Sequence, residues 1–255
     1  MLAQQQRFDR LWIVTGHRSD LLTSLNSQTV PQFPFIVIEK PCPLWHFTPV
    51  FLQDNYRLDS NQKLATITTR KHNMILTHLL LSLHELSIFL NSVEDGLLPW
   101  DACYPDRVYE VEYRIMLCLF DDSVIAECDD KIAIGQILLQ AALLFIYSNL
   151  RQTPVGGTVR KTLLSRLRAA LDLVDLVRLS RRFTAEVLWI LAIGSSTATG
   201  MTQTKFIDET RGICAENHVY TWAEVTELLR GVPALLDAHM AACMGSWISN
   251  EIVEA

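Results

Sequence analysis

Apolar residues recur along most of this chain at steps of three and four positions, the spacing that places them on one side of a helix. In "DRVYEVEYRIMLCLF" the repeat falls on Val108, Val111, Ile115 and Leu119. No stretch alternates apolar and polar residues strongly enough to build a sheet. Short helices in succession, joined by short connections, therefore predict an all-α fold arranged as a multi-helix orthogonal array or bundle.

Further segments follow the same pattern. "NQKLATITTRKHNMILTHLLLSLHELSIFLNSV" predicts a long helix that ends before Gly96 and Pro99. Thr221 and Glu224 have the spacing of a capping box, which predicts that a helix starts in "TWAEVTELLRG". Pro233 suits the first turn of a last helix. One broad apolar face in "VRKTLLSRLRAALDLVDLVRL" carries Leu163, Leu167, Leu171, Val174 and Leu176.

The first sixty residues differ in character from the rest. Gln4 to Leu25 predict a short helix, and five of the nine prolines lie between Pro31 and Pro49. Proline lacks a backbone donor and resists helix formation, so an irregular connection is predicted there. Its Phe, Ile and Trp residues favour packing on the body. We therefore expect an N-terminal helix and proline-rich segment in residues 1–60, and a helical domain in residues 61–255.

A charge-free stretch of nineteen residues runs from Ile132 to Leu150. Its length would suffice to span a membrane. However, Gln136 and Gln140 lie one turn apart on one face near its middle. A helix buried in the protein core accounts for the stretch equally well, and the remaining segments favour that interpretation.

The segment "EVLWILAIGSSTATG" admits two further interpretations. Gly194, Ser196 and Ala198 form a degenerate version of the Gly-x-Ser-x-Gly elbow, but no strand precedes them. We instead predict one buried helix from Leu188 to Thr199. Trp189 would be its anchor, and Gly194 and Ala198 would let a neighbouring helix come close.

Composition and charge restrict the classes of function. The chain has 255 residues, 49% of them hydrophobic, and a net charge of -6. An acidic chain is repelled by phosphate backbones, so direct nucleic-acid binding is not expected. Six scattered cysteines form no Cys-x-x-Cys pair, which indicates a reducing compartment with no disulfide framework and no zinc knuckle. The charged N-terminus does not resemble a secretory signal, and no membrane association is expected.

Candidate catalytic and metal-binding residues are few. Asp121 and Asp122 are adjacent, but no second carboxylate motif accompanies them. His72, His78 and His84 recur every six residues and so fan around a helix. We therefore predict no catalytic residues, no cofactor and no metal.

A basic region stands out against the acidic whole. We take Arg160, Lys161, Arg166 and Arg168 as candidate contacts with a partner, because a basic amphipathic helix can bind phosphate or an acidic protein. The solvated face of a core helix is the alternative. Arginines continue the region at Arg178, Arg181 and Arg182.

The last 150 residues carry a family resemblance in the order of their motifs. These motifs are "VYEVEYRIM", "AALLFIYSNLRQTP", "TLLSRLRAAL", "EVLWILAIGSSTATG" and "TWAEVTELLRGVPALLDAHMAACMGSWISNEI". From Tyr104 to Ile252 the chain resembles the fungal-specific transcription factor domain, the helical regulatory region of fungal zinc binuclear cluster transcription factors. Trp189, Gly194 and Trp222 fall in the most similar segments and are expected to be structural.

The resemblance implies a non-catalytic regulatory domain that acts through protein partners, through self-association or through a small effector. It also implies location in the nucleus, with the cytoplasm as the alternative. The chain departs from the family in lacking the compact cysteine cluster, so we expect no DNA-binding module. An all-α enzyme acting on a hydrophobic metabolite is the alternative function.

Overall fold

Every secondary-structure element in the described part of the chain is a helix. The computed structural model describes residues 19–32, 70–100, 104–120, 130–151, 153–154, 156–229 and 232. Within these ranges no strand occurs, so the predicted all-α, multi-helix fold is confirmed. The proline-rich segment beyond residue 32 and the predicted helix at Pro233 lie outside them.

The first half of the described chain contains four helices. Residues 19–27 are helical and form α1. The long helix α2 spans Arg70–Glu94, α3 spans Tyr104–Phe120, and α4 spans Asp130–Phe145. As predicted, α2 ends before Gly96, whose φ of 71° is the left-handed conformation that glycine adopts most easily after a helix.

Helix α4 continues directly into a π-helix, Ile146–Leu150. The amide of Arg151 donates to the carbonyl of Ile146 at 2.8 Å, a bond that spans five residues instead of four. Sequence periodicity predicted one uninterrupted helix here. Single π-turns are rare and are often found at functional sites, so the residues at this end of α4 are candidates for such a site.

Five helices follow the π-helix. They are α5 (Thr158–Asp172), α6 (Leu176–Ser180), α7 (Thr184–Thr197), α8 (Met201–Glu216) and α9 (Trp222–Leu229). The predicted capping box starts α9: the Glu224 amide donates to Thr221 Oγ1 at 3.2 Å, and the Thr221 amide donates to the Glu224 carboxylate at 2.9 Å.

Helix α7 lies at the centre of the core and contacts α4, α5, α6, α8 and α9. It is apolar on all sides, as expected of a helix surrounded by others. Trp189 is fully buried, and its ring centroid lies 5.8 Å from that of Phe145 on α4. Trp222, on α9, is half-buried and packs against the edge of the same core.

Three helix ends differ from the sequence prediction. Helix α7 begins at Thr184, four residues before the predicted Leu188. Helix α7 ends at Thr197, two residues short of Thr199, because Ala198 is extended and Gly200 has a φ of 61°. Helix α5 ends at Asp172 instead of running on through Leu176. Asp175 then starts a new helix, since its carboxylate accepts from the Arg178 amide at 3.0 Å.

The charge-free stretch forms the end of α4 and the π-helix. Ala133–Leu150 is, in the described ranges, the one segment whose length and apolar composition would allow a membrane span, and 83% of it is buried against other helices. A buried core helix passes the same test, so this alone is weak support for a membrane span. Leu21 and Leu25 of α1 belong to the same core.

Candidate functional site

The four basic residues singled out on α5 have different environments. Lys161 is exposed, whereas Arg160 is buried, with 7% of its surface exposed. The Arg160 guanidinium donates from Nη1 to the carbonyl oxygen of Thr153 at 2.9 Å. Arg160 therefore lies over the loop that precedes α5 and not on the solvated face of the helix.

Arg166 and Arg168 bind other parts of the same chain. Arg166 donates to the carbonyl oxygens of Leu25 and Asn26, which holds α1 against α5. Arg168 forms ion pairs with Asp172 and with Glu209 on α8. These two guanidinium groups thus join helices. Of the four basic residues on α5, Lys161 and its buried neighbour Arg160 remain as candidate contacts with a ligand.

A buried ionic cluster lies where α3 meets the π-helix. The Glu112 side chain, on α3, is completely buried and accepts hydrogen bonds from the Tyr147 hydroxyl and from two nitrogens of Arg151. The Arg151 Nε lies 2.9 Å from Glu112 Oε2, and the Arg151 guanidinium is also 5.8 Å from the Tyr147 ring centroid. Two partners for one carboxylate offset much of the cost of burying its charge.

The cluster keeps Tyr147 protonated. Burial raises the pKa of the Tyr147 hydroxyl far above its usual range, and the adjacent Glu112 carboxylate raises that pKa further, against the opposing effect of Arg151. Tyr147 is consequently a hydrogen-bond donor to Glu112 and not a general base. The hydrogen bond therefore fixes the Tyr147 hydroxyl against the buried Glu112 carboxylate.

Hydrogen bonds connect this cluster to the start of α5. The Thr153 amide donates to the carbonyl oxygen of Tyr147 at 3.0 Å, and the Thr153 carbonyl accepts from Arg160. These contacts form a chain of residues from Glu112 through Tyr147 and Thr153 to Arg160, in which Tyr147 contributes its hydroxyl to Glu112 and its backbone carbonyl to Thr153. We call this chain, with Arg151, the polar network; it joins α3, the π-helix and α5.

Polar atoms without partners lie on two residues of the same region. Asn149, in the π-helix, is 1% exposed, and neither atom of its side-chain amide has a hydrogen-bond partner. Tyr104, at the start of α3, is 2% exposed and its hydroxyl also has none. The Tyr104 ring makes tilted contacts with the rings of Phe89 and the exposed Trp100, with centroid distances of 5.5 and 5.1 Å.

The other predicted candidates do not converge. Asp121 and Asp122 lie outside the described residues, as does the His72 side chain. His78 is exposed and His84 is buried, on one helix, α2. Among the residues that the structure describes, no group of three His, Cys, Asp or Glu side chains could hold a metal ion.

The serine elbow considered for residues 194–198 does not form, because Ser196 lies inside helix α7. The Ser196 hydroxyl donates back to the carbonyl of Ile193 at 3.1 Å, and Ser195 does the same to Ala192 at 3.0 Å. Serines that bond to their own helix in this way are structural.

Sequence reasoning missed Glu112, Tyr147 and Arg151. One signal was available: Glu112 lies four residues after Val108 and three before Ile115, which places a carboxylate on the apolar face of α3. A charge on a buried face requires a partner of opposite charge. The partner itself could not be found, because Arg151 follows the π-turn and its direction depends on that turn.

Comparisons with protein-family models, with curated proteins and with solved structures find no match to this chain.

Proposed function

We propose that this chain is a non-catalytic regulatory domain of the fungal-specific transcription factor type, which acts in the nucleus through protein partners or a small effector. It would transmit the state of a binding site through its helical core and would not read DNA itself. The polar network is the element that we assign to this role.

The observation that carries the proposal is the way in which the resembling motifs meet. The first four motifs lie on α3, on α4 with the π-helix, on α5 and on α7, and the described part of the fifth lies on α9; these helices pack on one another. "VYEVEYRIM" contributes Glu112, and "AALLFIYSNLRQTP" contributes Tyr147, Arg151 and Thr153. The motifs therefore supply both one core and the polar network inside it.

The position of the π-turn favours a regulatory role. A π-turn closes an i→i+5 hydrogen bond and so holds one residue more than an α-turn. We infer that closing the turn with an i→i+4 bond instead would move the segment after it by one register. Arg151 and Thr153 lie directly after this turn and connect to different helices. A ligand or partner that favours one register would shift α5 relative to α3, which is the kind of bistable element that regulation requires.

A reporter assay tests the regulatory proposal. The full chain is fused to an unrelated DNA-binding module in a fungal cell that carries a reporter gene with the binding site of that module. We expect reporter expression to rise or fall relative to the module fused to an unrelated helical protein of similar size. Equal expression at equal fusion-protein levels would contradict the proposal. A fluorescent tag on the unfused chain should accumulate in the nucleus.

A binding assay tests the expectation that the chain does not read DNA itself. The purified chain is titrated with a pool of random-sequence duplex DNA at moderate salt, and we expect no selective enrichment. Sequence-specific binding that weakens steeply with salt would show instead that the chain carries its own DNA-reading surface.

A further inference from the structure

The start of helix α5 combines four features within six residues, 156–161. Gly156 has a φ of 81°, Gly157 is the N-cap and provides no side-chain acceptor, and Arg160 and Lys161 follow in the first turn. No acidic residue lies in that turn. The first amides of a helix lack acceptors within the helix, and the helix dipole places partial positive charge there. This end of the fifteen-residue helix is therefore strongly electropositive.

Arg160 provides an observation independent of the helix end. Its guanidinium is buried, and none of the described carboxylates forms an ion pair with it. Its Nε is buried without a hydrogen-bond partner, and its one hydrogen bond goes to the neutral carbonyl of Thr153. Arginine stays protonated in proteins, so this is a buried positive charge with no counter-charge among the described carboxylates. Such a charge is costly unless an anion accompanies it.

The direction of Arg160 places this charge at the helix end. Side chains in a helix lean toward its N-terminus, and the Arg160 guanidinium reaches back past the start of α5 to Thr153. The Lys161 side chain also lies near the helix start, because its Cε would be 4.0 Å from a Cβ placed on Gly156. A side chain at Gly157 would lie 3.1 Å from the Pro154 carbonyl oxygen, so glycine keeps the loop close to the helix.

We propose that the N-terminus of α5 binds the phosphate group of a small effector, with the first-turn amides, Arg160 and Lys161 as its ligands. A tetrahedral oxyanion fits this donor set, since it can accept from backbone amides and from two cationic side chains at once. The binding site itself does not depend on the proposed regulatory function. The interpretation of the anion as the effector does, because its link to Glu112 runs through the polar network.

Calorimetric titration of the full chain with inorganic phosphate tests the site, with ionic strength held constant by sodium chloride. We expect saturable binding of phosphate and of sulfate, and much weaker binding of acetate. Arg160→Met should raise the Kd by about tenfold or more, and Lys161→Gln by several-fold, as expected for the loss of charge-assisted hydrogen bonds. Lys205→Gln, on exposed α8 surface, is the matched control and should leave the Kd unchanged.

A second variant isolates the backbone contribution. Thr158 is the first residue of α5, where proline is well tolerated, and the extended Gly157 suits a residue before proline. Thr158→Pro removes one amide donor while preserving both cationic side chains, and it should raise the phosphate Kd several-fold. This variant and Lys161→Gln remain informative if Arg160→Met does not fold.

Three results would overturn the phosphate site: no binding to the wild-type chain, equal binding by all variants including Lys205→Gln, or acetate binding as tightly as phosphate. If phosphate binds as expected while the reporter assay shows no regulation, the site stands and the regulatory function fails. If regulation is observed without phosphate binding, the function stands and this assignment of its ligand fails.

Discussion

Gly194 of α7 faces the ring of Phe206 on α8 so closely that a Cβ on Gly194 would lie 2.3 Å from the Cε1 of that ring. Phe206 is fully buried, so its ring has little room to move away. Two helices can approach this closely only where one of them lacks a side chain. The small-residue segment that follows Trp189 is thus a packing surface for α8.

Gly194→Ala should therefore destabilise the protein, although alanine is the better helix former. Helix propensity favours alanine by about 1 kcal/mol. Overpacking a rigid core costs about 1–3 kcal/mol, and the other near ring atoms at 2.6 Å leave no simple escape. We expect a net loss in the free energy of unfolding, measured by urea denaturation.

Gly212→Ala is the matched control, because Gly212 also lies within a helix but a Cβ there would meet nothing within 4 Å. It should leave stability unchanged or raise it by up to about 1 kcal/mol. Shortening Phe206 to leucine in the Gly194→Ala background should recover part of the loss. Equal effects of the two glycine substitutions would show that the helices are not in contact here.

The capping box of α9 gives a local prediction. Thr221→Ala removes the hydroxyl that accepts from the Glu224 amide and should lower stability by about 1 kcal/mol. Hydrogen exchange of the first-turn amides of α9 should accelerate most. Thr226→Ala changes a half-buried threonine on the same helix, which bonds to the Ala223 carbonyl, and should change stability by less than about 0.5 kcal/mol.

Periodicity and local chemistry were sufficient to predict the helices and two of their ends. The apolar repeat of α3 and the Thr221 capping box are local signals, and each element appears as predicted. Breaks that depend on one residue were missed: Asp175 caps a new helix after α5, and the sequence there remains apolar enough to suggest continuity. Local propensity carries little information at such points.

The candidate site was predicted less well than the fold, for a physical reason. Clustering of charge on α5 indicated a basic surface, but charge in sequence does not show whether a side chain is buried or has a partner. Arg166 binds the Leu25 carbonyl on α1, 141 residues away, and Arg168 pairs with Glu209 on α8, 41 residues away, as well as with the nearby Asp172. The Glu112–Arg151 pair likewise joins residues 39 apart. Long-range pairs of this kind depend on how the helices pack. No local pattern in one sequence shows which distant residues will meet.

The buried His84 predicts a loss of stability in mild acid. Burial lowers the pKa of His84 from 6.5 to about 4 in the folded chain. The unfolded chain therefore binds the proton more tightly, and stability falls as the pH drops from about 6.5 toward 4. Between pH 7 and pH 4.5 this one group should cost about 2–3 kcal/mol.

Urea denaturation across this pH range gives the free energy of unfolding at each pH. The effect of His84 is the difference between variants in the slope of that free energy against pH. His84→Gln should reduce the loss of unfolding free energy between pH 7 and pH 4.5 by about 2–3 kcal/mol. His78→Gln should not reduce it, because His78 on the same helix is exposed. Burial raises the pKa of the neighbouring Glu85 carboxyl, which acts in the opposite direction, but Glu85 is present in every variant and cancels. Parallel pH profiles for both variants and the wild-type chain would contradict the burial of His84.

Glu112 predicts the largest loss of stability. Glu112→Gln removes the charge that Arg151 faces in the core, and leaving one partner of a buried pair alone costs about 3–5 kcal/mol. The reference is Glu216→Gln, whose pair with Arg181 spans 3.6 Å at the surface and should be worth less than about 1 kcal/mol. Tyr147→Phe should cost about 1–3 kcal/mol alone and less in the Glu112→Gln background, because the neutral amide oxygen of glutamine accepts a weaker hydrogen bond from Tyr147 than the Glu112 carboxylate does. Additive losses in this double-mutant cycle would mean that Tyr147 and Glu112 do not act together, and the polar network would then lack its first link.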